Sequence, residues 1–471
     1  MSVFIAGFCI ANLIFGHAAK TKPPFRLVAI GTFVWIIAIF LSGLSKSLES
    51  FYLLLFARAL SGVGEAAIQT VVPAFIDSQI SSKHRSSALA IFYLGFPVGG
   101  ALGFLWGSYA ASSIGWDWAF FLEIPLILPS LLICLILPYG PPTESGPPSR
   151  YAHRLSFRSD LIPILKSHEY KLITIGSASL IGLISAFATY APSFMQGLGF
   201  FETEGDASFT FGALTCATGL IGTLCGGISN DFLKRRLKGR FSVVVLTTTQ
   251  MVVSVVISVS CFAIGVYSNT KNQFVAFLFL GEIALFFSTA LQVEVLLMFV
   301  ERARRGLGVG LYGSVQTFLS LILKYSRSPT QQNLRYNFLG HLMGDIPAPI
   351  VVGALKDTWA PQCGSVKACC LGDEDKNCDY NSSVACDGED ESWESVLNPK
   401  CHEDNSGLRR TLFAAVLWLA VAIIAWGVLL VWKCGEKIED EEEDSSEEED
   451  ENLIFNDDDD DENDGGYRKT E

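Results

Sequence analysis

The feature that most constrains this chain is the recurrence of long apolar stretches from its first residues almost to its last. Such runs lie near 2–19, 27–47, 51–77, 85–110, 117–138, 171–195, 208–229, 241–267, 273–300 and 408–433. A bilayer core about 30 Å thick takes roughly 20 apolar residues per helix, so the runs read as membrane spans. They are too uniformly apolar for the alternating strands of a membrane barrel, and helices satisfy every backbone group within lipid. Only 17% of the residues are charged, against about 25% in soluble proteins. An ordinary soluble enzyme and a wholly disordered chain are thereby excluded. The first run begins at Met1 with no basic region before it, so it reads as a span of the mature protein rather than a signal peptide.

Basic residues set the expected orientation. One set of loops holds Lys20, Lys22 and Arg26, then Lys83 and Arg85, then Arg150, Arg154, Arg158 and Lys166, then Lys234, Arg235, Arg236, Lys238 and Arg240, then Arg302, Arg304 and Arg305. The alternate loops are nearly free of them, and the basic set is expected to be cytoplasmic. The net charge of −14 misrepresents this body. The tail from Glu436 carries 20 acidic residues against 3 basic ones, leaving 31 Lys and Arg against 28 Asp and Glu elsewhere. Scattered between apolar runs, these bases do not make a nucleic-acid surface.

The polar, Pro-rich stretch 139–170 divides the chain into an N-terminal bundle, 1–138, and a C-terminal bundle, 171–355. After the span 208–229 the sequence runs Gly226, Gly227, then Asp231, then Lys234, Arg235 and Arg236. This resembles the loop signature of the major facilitator superfamily, a glycine, an aspartate and a basic pair. Glycine lets helices approach, and the aspartate can cap a helix or pair with a base across the gap. The first-half counterpart keeps Gly16 but has Lys20 at the aspartate position. In the family this loop follows the second helix, so the resemblance implies that the chain starts there, with about 11 helices instead of 12.

Further blocks resemble the spinster-type lipid transporters of that superfamily. They are Arg58 to Glu65 with Gly62 and Gly64, Arg85 to Tyr93, Pro97 to Gly103, Tyr190 to Pro192, Gly281 with Glu282, and Gly340 to Pro349 with Asp345. The resemblance implies an all-α, two-bundle transporter working by alternating access, with an amphipathic lipid such as a lysophospholipid or a sphingoid phosphate as cargo and protons as coupling partner. No cofactor is implied. A transporter of small polar solutes or organic anions, and a non-transporting receptor or scaffold, are the competing readings. No Walker loop, HExxH or GxSxG sequence is present, and the six histidines do not cluster.

Ionisable residues within spans are costly in lipid and are functional candidates by default. Arg58, Gly62, Glu65 and Gln69 share one helix face, expected to point into the bundle, where Arg58 and Glu65 can pair with each other or with other partners. Glu282 shares a face with Thr289. Glu294, further round and nearer the basic end, reads as interfacial. Glu65, Glu282 and Asp345 are the acids suited to proton coupling. Gly95, Gly99, Gly100, Gly103 and Gly107 are expected to make faces for close helix packing. Gly227, Asp231, Arg235 and Arg236 form the expected gating loop.

Residues 320–339 are polar within an otherwise apolar region and read as an insert; joining Leu319 to Gly340 restores a single apolar run over 306–355. The loop 356–407 holds Cys363, Cys369, Cys370, Cys378, Cys386 and Cys401, half of the 12 cysteines. An even cluster implies disulfides in an oxidising compartment, with about 15 connectivities open for six. There is no CxxC pair for zinc. Asn381 begins a glycosylation sequon on the same loop. The loop is therefore expected outside the cytosol, the last span at 408–433, and a disordered acidic cytoplasmic tail at 434–471.

Overall fold

The structure, a computed structural model, describes residues 2–137, 157–237, 241–317, 347–367 and 395–436. The N-terminal bundle comprises α1 (Ser2–Ala18), α2 (Pro24–Ser47), α3 (Phe51–Gln79), α4 (Arg85–Tyr93), α5 (Gly95–Ser113) and α6 (Trp116–Ile136). The short α7 (Phe157–Lys166) follows, within the stretch expected as a linker. The C-terminal bundle comprises α8 (His168–Gly197), α9 (Glu204–Arg236), α10 (Val243–Val266), α11 (Lys271–Phe287), α12 (Thr289–Met298), α13 (Arg305–Thr317), α14 (Pro347–Trp359), α15 (Asn405–Leu417) and α16 (420–436). Nine helical stretches among the described residues are long and apolar enough to cross a bilayer; α1, at 17 residues, is shorter. The suspected insert 320–339 lies outside the described residues, between α13 and α14.

Local sequence sets the helix starts. Ser50, Ser167 and Thr203 each accept a backbone N–H two or three residues into the following helix, from Leu53, Tyr170 and Asp206, meeting donors that a helix start leaves unpaired. Two runs read as single spans are broken. The run 85–110 splits at Leu94, three residues before Pro97, which lacks an N–H and crowds the carbonyl of Tyr93. The run 273–300 splits at Ser288, whose hydroxyl donates to the Leu285 carbonyl at 2.9 Å.

Packing differs between the bundles. The C-terminal core is built from large side chains, including Ile173, Leu183, Met251, Leu296 and Trp426, all essentially sealed. Trp426 lies over Gly176, and its indole donates to the Ile173 carbonyl at 3.3 Å. The N-terminal bundle packs through small residues instead: Gly7 abuts Ala59, Gly31 abuts Ala67, and Gly62 abuts Phe4, the backbone-to-backbone contact favoured where lipid supplies no hydrophobic drive. Phe33, Phe40, Leu126, Ile136 and Val431 remain exposed, as lipid-facing residues should be. Among the described residues the glycines of α5 do not make the expected close packing. Among the described residues nothing lies within 4 Å of a Cβ built on Gly95, Gly99, Gly100, Gly103 or Gly107.

The cysteine-rich loop adds a small antiparallel ribbon, β1 (Ser365–Lys367) with β2 (Ser395–Leu397), in which Val366 faces Val396. Beside it Cys363 and Cys401 form a disulfide. Cys369, Cys370, Cys378, Cys386 and the Asn381 sequon lie outside the described residues.

Candidate functional site

The bundles enclose a cavity of about 170 Å³ between α1, α3 and α4–α5 on one side and α8, α11–α12 and α13 on the other. Glu65, Gln69, Asn12 and Thr70 line it from the first bundle, Thr289 and Gln292 from the second. Gln69 donates to the Glu65 carboxylate at 3.2 Å, and Thr70 donates to Asn12 Oδ1 at 2.7 Å. Asn12 Nδ2, Thr289 Oγ1 and Gln292 Oε1 are buried and have no hydrogen-bond partner among the described residues. Buried polar atoms are ordinarily satisfied, and these three lie on residues that line the cavity, so its wall holds unspent polar capacity on both bundles.

A second cavity of about 140 Å³ adjoins the first, sharing Phe96, Pro97, Ile184 and Phe286 as walls. Its remaining lining is mostly apolar, with Phe187 and Phe211 opposite Gly100 and Ala101. The open glycine face of α5 makes this room, since a larger residue at Gly100 would project into it. Glu282 is the acid in its wall, 3% exposed, accepting from Thr218 at 2.7 Å and Thr215 at 3.2 Å. Both lobes are largely apolar, with Phe4, Phe8 and Tyr312 among the walls of the first, and the polar side chains gather in that first lobe; the two meet at the helix breaks near Leu94 and Ser288. Together the cavities reach the lower end of the range, about 300 Å³, that accommodates small-molecule ligands.

On the basic face the bundles touch through charged side chains. Asp231 of α9 accepts from the Ser86 N–H at 3.2 Å, the Ser87 N–H at 2.8 Å and the Ser87 hydroxyl at 2.6 Å. It therefore caps α4, a helix of the opposite bundle, and its negative charge suits that helix start. Lys234 reaches Glu294 at 2.6 Å, Ser86 at 2.7 Å and Asp231 at 3.0 Å. Ser86 donates to Glu294, and Asn230 donates to both at 3.0 Å. Gly227 makes the approach feasible: a Cβ there would lie 2.7 Å from the Ser86 carbonyl oxygen and 2.6 Å from Ala90 Cβ.

The first-half loop makes the corresponding contact with reversed charge. Lys20, 9% exposed, pairs with Asp160 of α7 at 3.2 Å, and Arg304 approaches the same carboxylate at 3.4 Å. Gly16 sits against Gly306 at the start of α13, where a Cβ would come within 2.7 Å of the carbonyl oxygen. Between the two sets, Asp77 at the end of α3 pairs with Arg85 at 2.9 Å and with Arg305.

The residues singled out from sequence separate into different places. Glu65 and Gln69 line the first cavity and Glu282 the second. Arg58 lines neither: its guanidinium lies over the Phe120 ring, 4.5 Å from the centroid, and its electrostatic partner is Glu123 of α6. Asp345 lies outside the described residues. Gly227 and Asp231 join the bundles, whereas Arg235 bonds back to the Asp231 carbonyl at 3.1 Å and Arg236 lies against Phe232. Glu294, read as interfacial, is 1% exposed and lies within the basic-face network, paired with Lys234. Asn12, Gln292, Asp77, Asp160 and Glu123 escaped the sequence reading. Asp77 and Asp160 carried a signal, as acids set in basic segments. Asn12 and Gln292 carried only polarity within apolar runs.

Two helical bundles around a central cavity, joined by charged loops at one face, define a membrane transporter of the alternating-access type. Residues 1–323 match the sequence profile of the Major Facilitator Superfamily, and the chain belongs to that family. It is similar to the sphingosine-1-phosphate transporter SPNS2 of Danio rerio, 25% identical over 370 residues that cover 76% of this chain and 68% of the relative. Protein spinster of Drosophila melanogaster is 26% identical over 370 residues, covering 76% of this chain and 55% of the relative. Protein spinster homolog 1 of Xenopus tropicalis is 27% identical over 372 residues, covering 76% and 65%. Among solved structures the fucose:proton symporter FucP of E. coli superposes with a TM-score of 0.59 over 91% of this chain and 89% of its own, at 11% identity, a likeness of fold alone.

Proposed function

We propose that this transporter carries a single-tailed amphiphile, a lysophospholipid or sphingolipid-like molecule, across the bilayer with proton coupling. The observation that carries this reading is the two-part cavity. Its first lobe is lined by the polar side chains of Asn12, Glu65, Gln69, Thr289 and Gln292, and its neighbour is walled by Phe96, Phe187, Phe211 and Phe286. A headgroup would satisfy the first and an acyl or sphingoid chain would fill the second. A sugar or small organic anion would leave the aromatic lobe unoccupied. The name of the zebrafish relative supports the same cargo class.

In this reading Glu65 and Glu282, one in each lobe, carry the coupled proton, and Arg58, set over the Phe120 ring, links α3 to α6. The basic loops face the cytoplasm, so the Asp231–Ser86–Lys234–Glu294 contacts are a cytoplasmic gate, closed here, and Lys20–Asp160–Arg304 is its counterpart. Residues 139–170 form a cytoplasmic linker and the loop 356–407 lies on the opposite side, where its disulfide would persist. Uptake into proteoliposomes tests the cargo. Lysophospholipid or sphingosine-1-phosphate should be taken up, faster with an imposed proton gradient, and a sugar should not. Sugar uptake without lipid uptake would overturn the proposal.

A further inference from the structure

A third cavity, about 330 Å³, lies away from the amphiphile site on the basic face, between the α3–α4 turn of one bundle and the start of α13 in the other. Arg85, Arg302 and Arg305 line it together with Asp77, Ser81 and Ser82. Asp77 is 3% exposed and lies against Arg85 and Arg305. Arg302 is exposed and has no carboxylate within ion-pair distance among the described residues. Arg85 Nε is buried and has no hydrogen-bond partner among them. Three guanidinium groups thus line the cavity with one carboxylate, which pairs with two of them, an excess of two positive charges in a concave, polar site. The α4 N–H groups of Ser86 and Ser87 are already taken by Asp231, so any ligand is held by side chains.

We infer that this cavity binds a phosphate-type oxyanion, which bridges Arg85 of the first bundle to Arg302 of the second and holds the basic face closed. A phosphate monoester carries about −1.5 to −2 charges near neutral pH, which matches the excess. Guanidinium forks bind phosphate through paired, charge-assisted hydrogen bonds, and the Ser81 and Ser82 hydroxyls supply further donors. The site is separate from the cargo cavity and does not depend on the cargo being a lipid. The same chemistry is available from a soluble phosphate or from a phosphomonoester lipid headgroup at the membrane surface.

The test uses the purified full chain. In one arm, inorganic phosphate is titrated at constant ionic strength against chloride, and binding is read from the shift in melting temperature. In the other, nanodiscs of phosphatidylcholine with and without phosphatidic acid are compared by headgroup phosphorus line broadening. Saturable binding that Arg302→Ala weakens by about tenfold, and Arg302→Lys partly restores, is the expected result. Response in the first arm identifies a soluble oxyanion. Response confined to the second identifies a lipid headgroup. Should Arg302→Ala lose its melting transition, Arg302→Gln carries the same comparison. No binding in either arm, or binding that Arg302 substitution leaves unchanged, overturns the inference.

Discussion

Replacing Asp231 with alanine isolates the proposed cytoplasmic gate. The carboxylate is 1% exposed and receives three hydrogen bonds from the opposite bundle, at 3.2, 2.8 and 2.6 Å. A hydrogen bond to a charged group contributes about 1.5–3 kcal/mol, and leaving buried donors unpaired costs more than the bond itself is worth. In the open state these donors and Asp231 are hydrated, so only part of the sum discriminates the two states. A net loss of about 2–4 kcal/mol from the closed state corresponds to roughly 30- to 1,000-fold in the closed-to-open ratio. Hydrogen exchange read by mass spectrometry tests this directly, because Ser86 and Ser87 donate the amides in question. The segment 85–93 should exchange at least about tenfold faster in Asp231→Ala, while the core of α8 around Ile173 and Leu180 keeps its protection. Asp231→Asn, which retains one acceptor, should fall between. Unchanged exchange at 85–93 would refute the gate. Simultaneous loss of protection in α8 would also refute it, since Asp231 would then hold the fold rather than a conformational state.

Three further outcomes follow from the same geometry. Glu65→Gln should abolish proton-driven uptake while leaving lysolipid binding within a few-fold of the parent, because the amide keeps the hydrogen bond to Gln69 but cannot carry a proton; uptake and equilibrium binding measured on one preparation check this. Asp160→Asn should destabilise by about 3–5 kcal/mol and Lys20→Met by about 1–3, since the first strips Lys20 and Arg304 of their shared anion and the second leaves Arg304 in place; detergent melting curves should show that order. Cys401→Ser should cost about 2–4 kcal/mol in the loop region, read as faster proteolysis between Ala360 and Asn405 with transport retained.

The membrane architecture was legible because it depends on local properties. An apolar run of spanning length must be a helix in lipid wherever it sits, and the alternation of basic loops needs no knowledge of packing. The Gly227 and Asp231 pairing also carried a readable mechanism, since a small residue and a capping acid can serve only at a close helix approach. What remained hidden was the choice of partners. Arg58 and Glu65 lie on one face of α3, yet seven residues of helix separate their tips, and packing of α6 brings Glu123 to Arg58 while Glu65 turns to the cavity. Lys20 looked like a lost contact until α7 placed Asp160, 140 residues away, against it. Glu294 looked merely interfacial because hydropathy leaves no mark of its pairing with Lys234, 60 residues away. Cys363 could pair with any of five partners, and the fold of the loop selected Cys401. Sequence by itself determined what depends on each segment's own solubility in lipid. The tertiary structure decided which charges meet, because ion pairs between distant segments depend on how helices pack, and many packings share one hydropathy pattern.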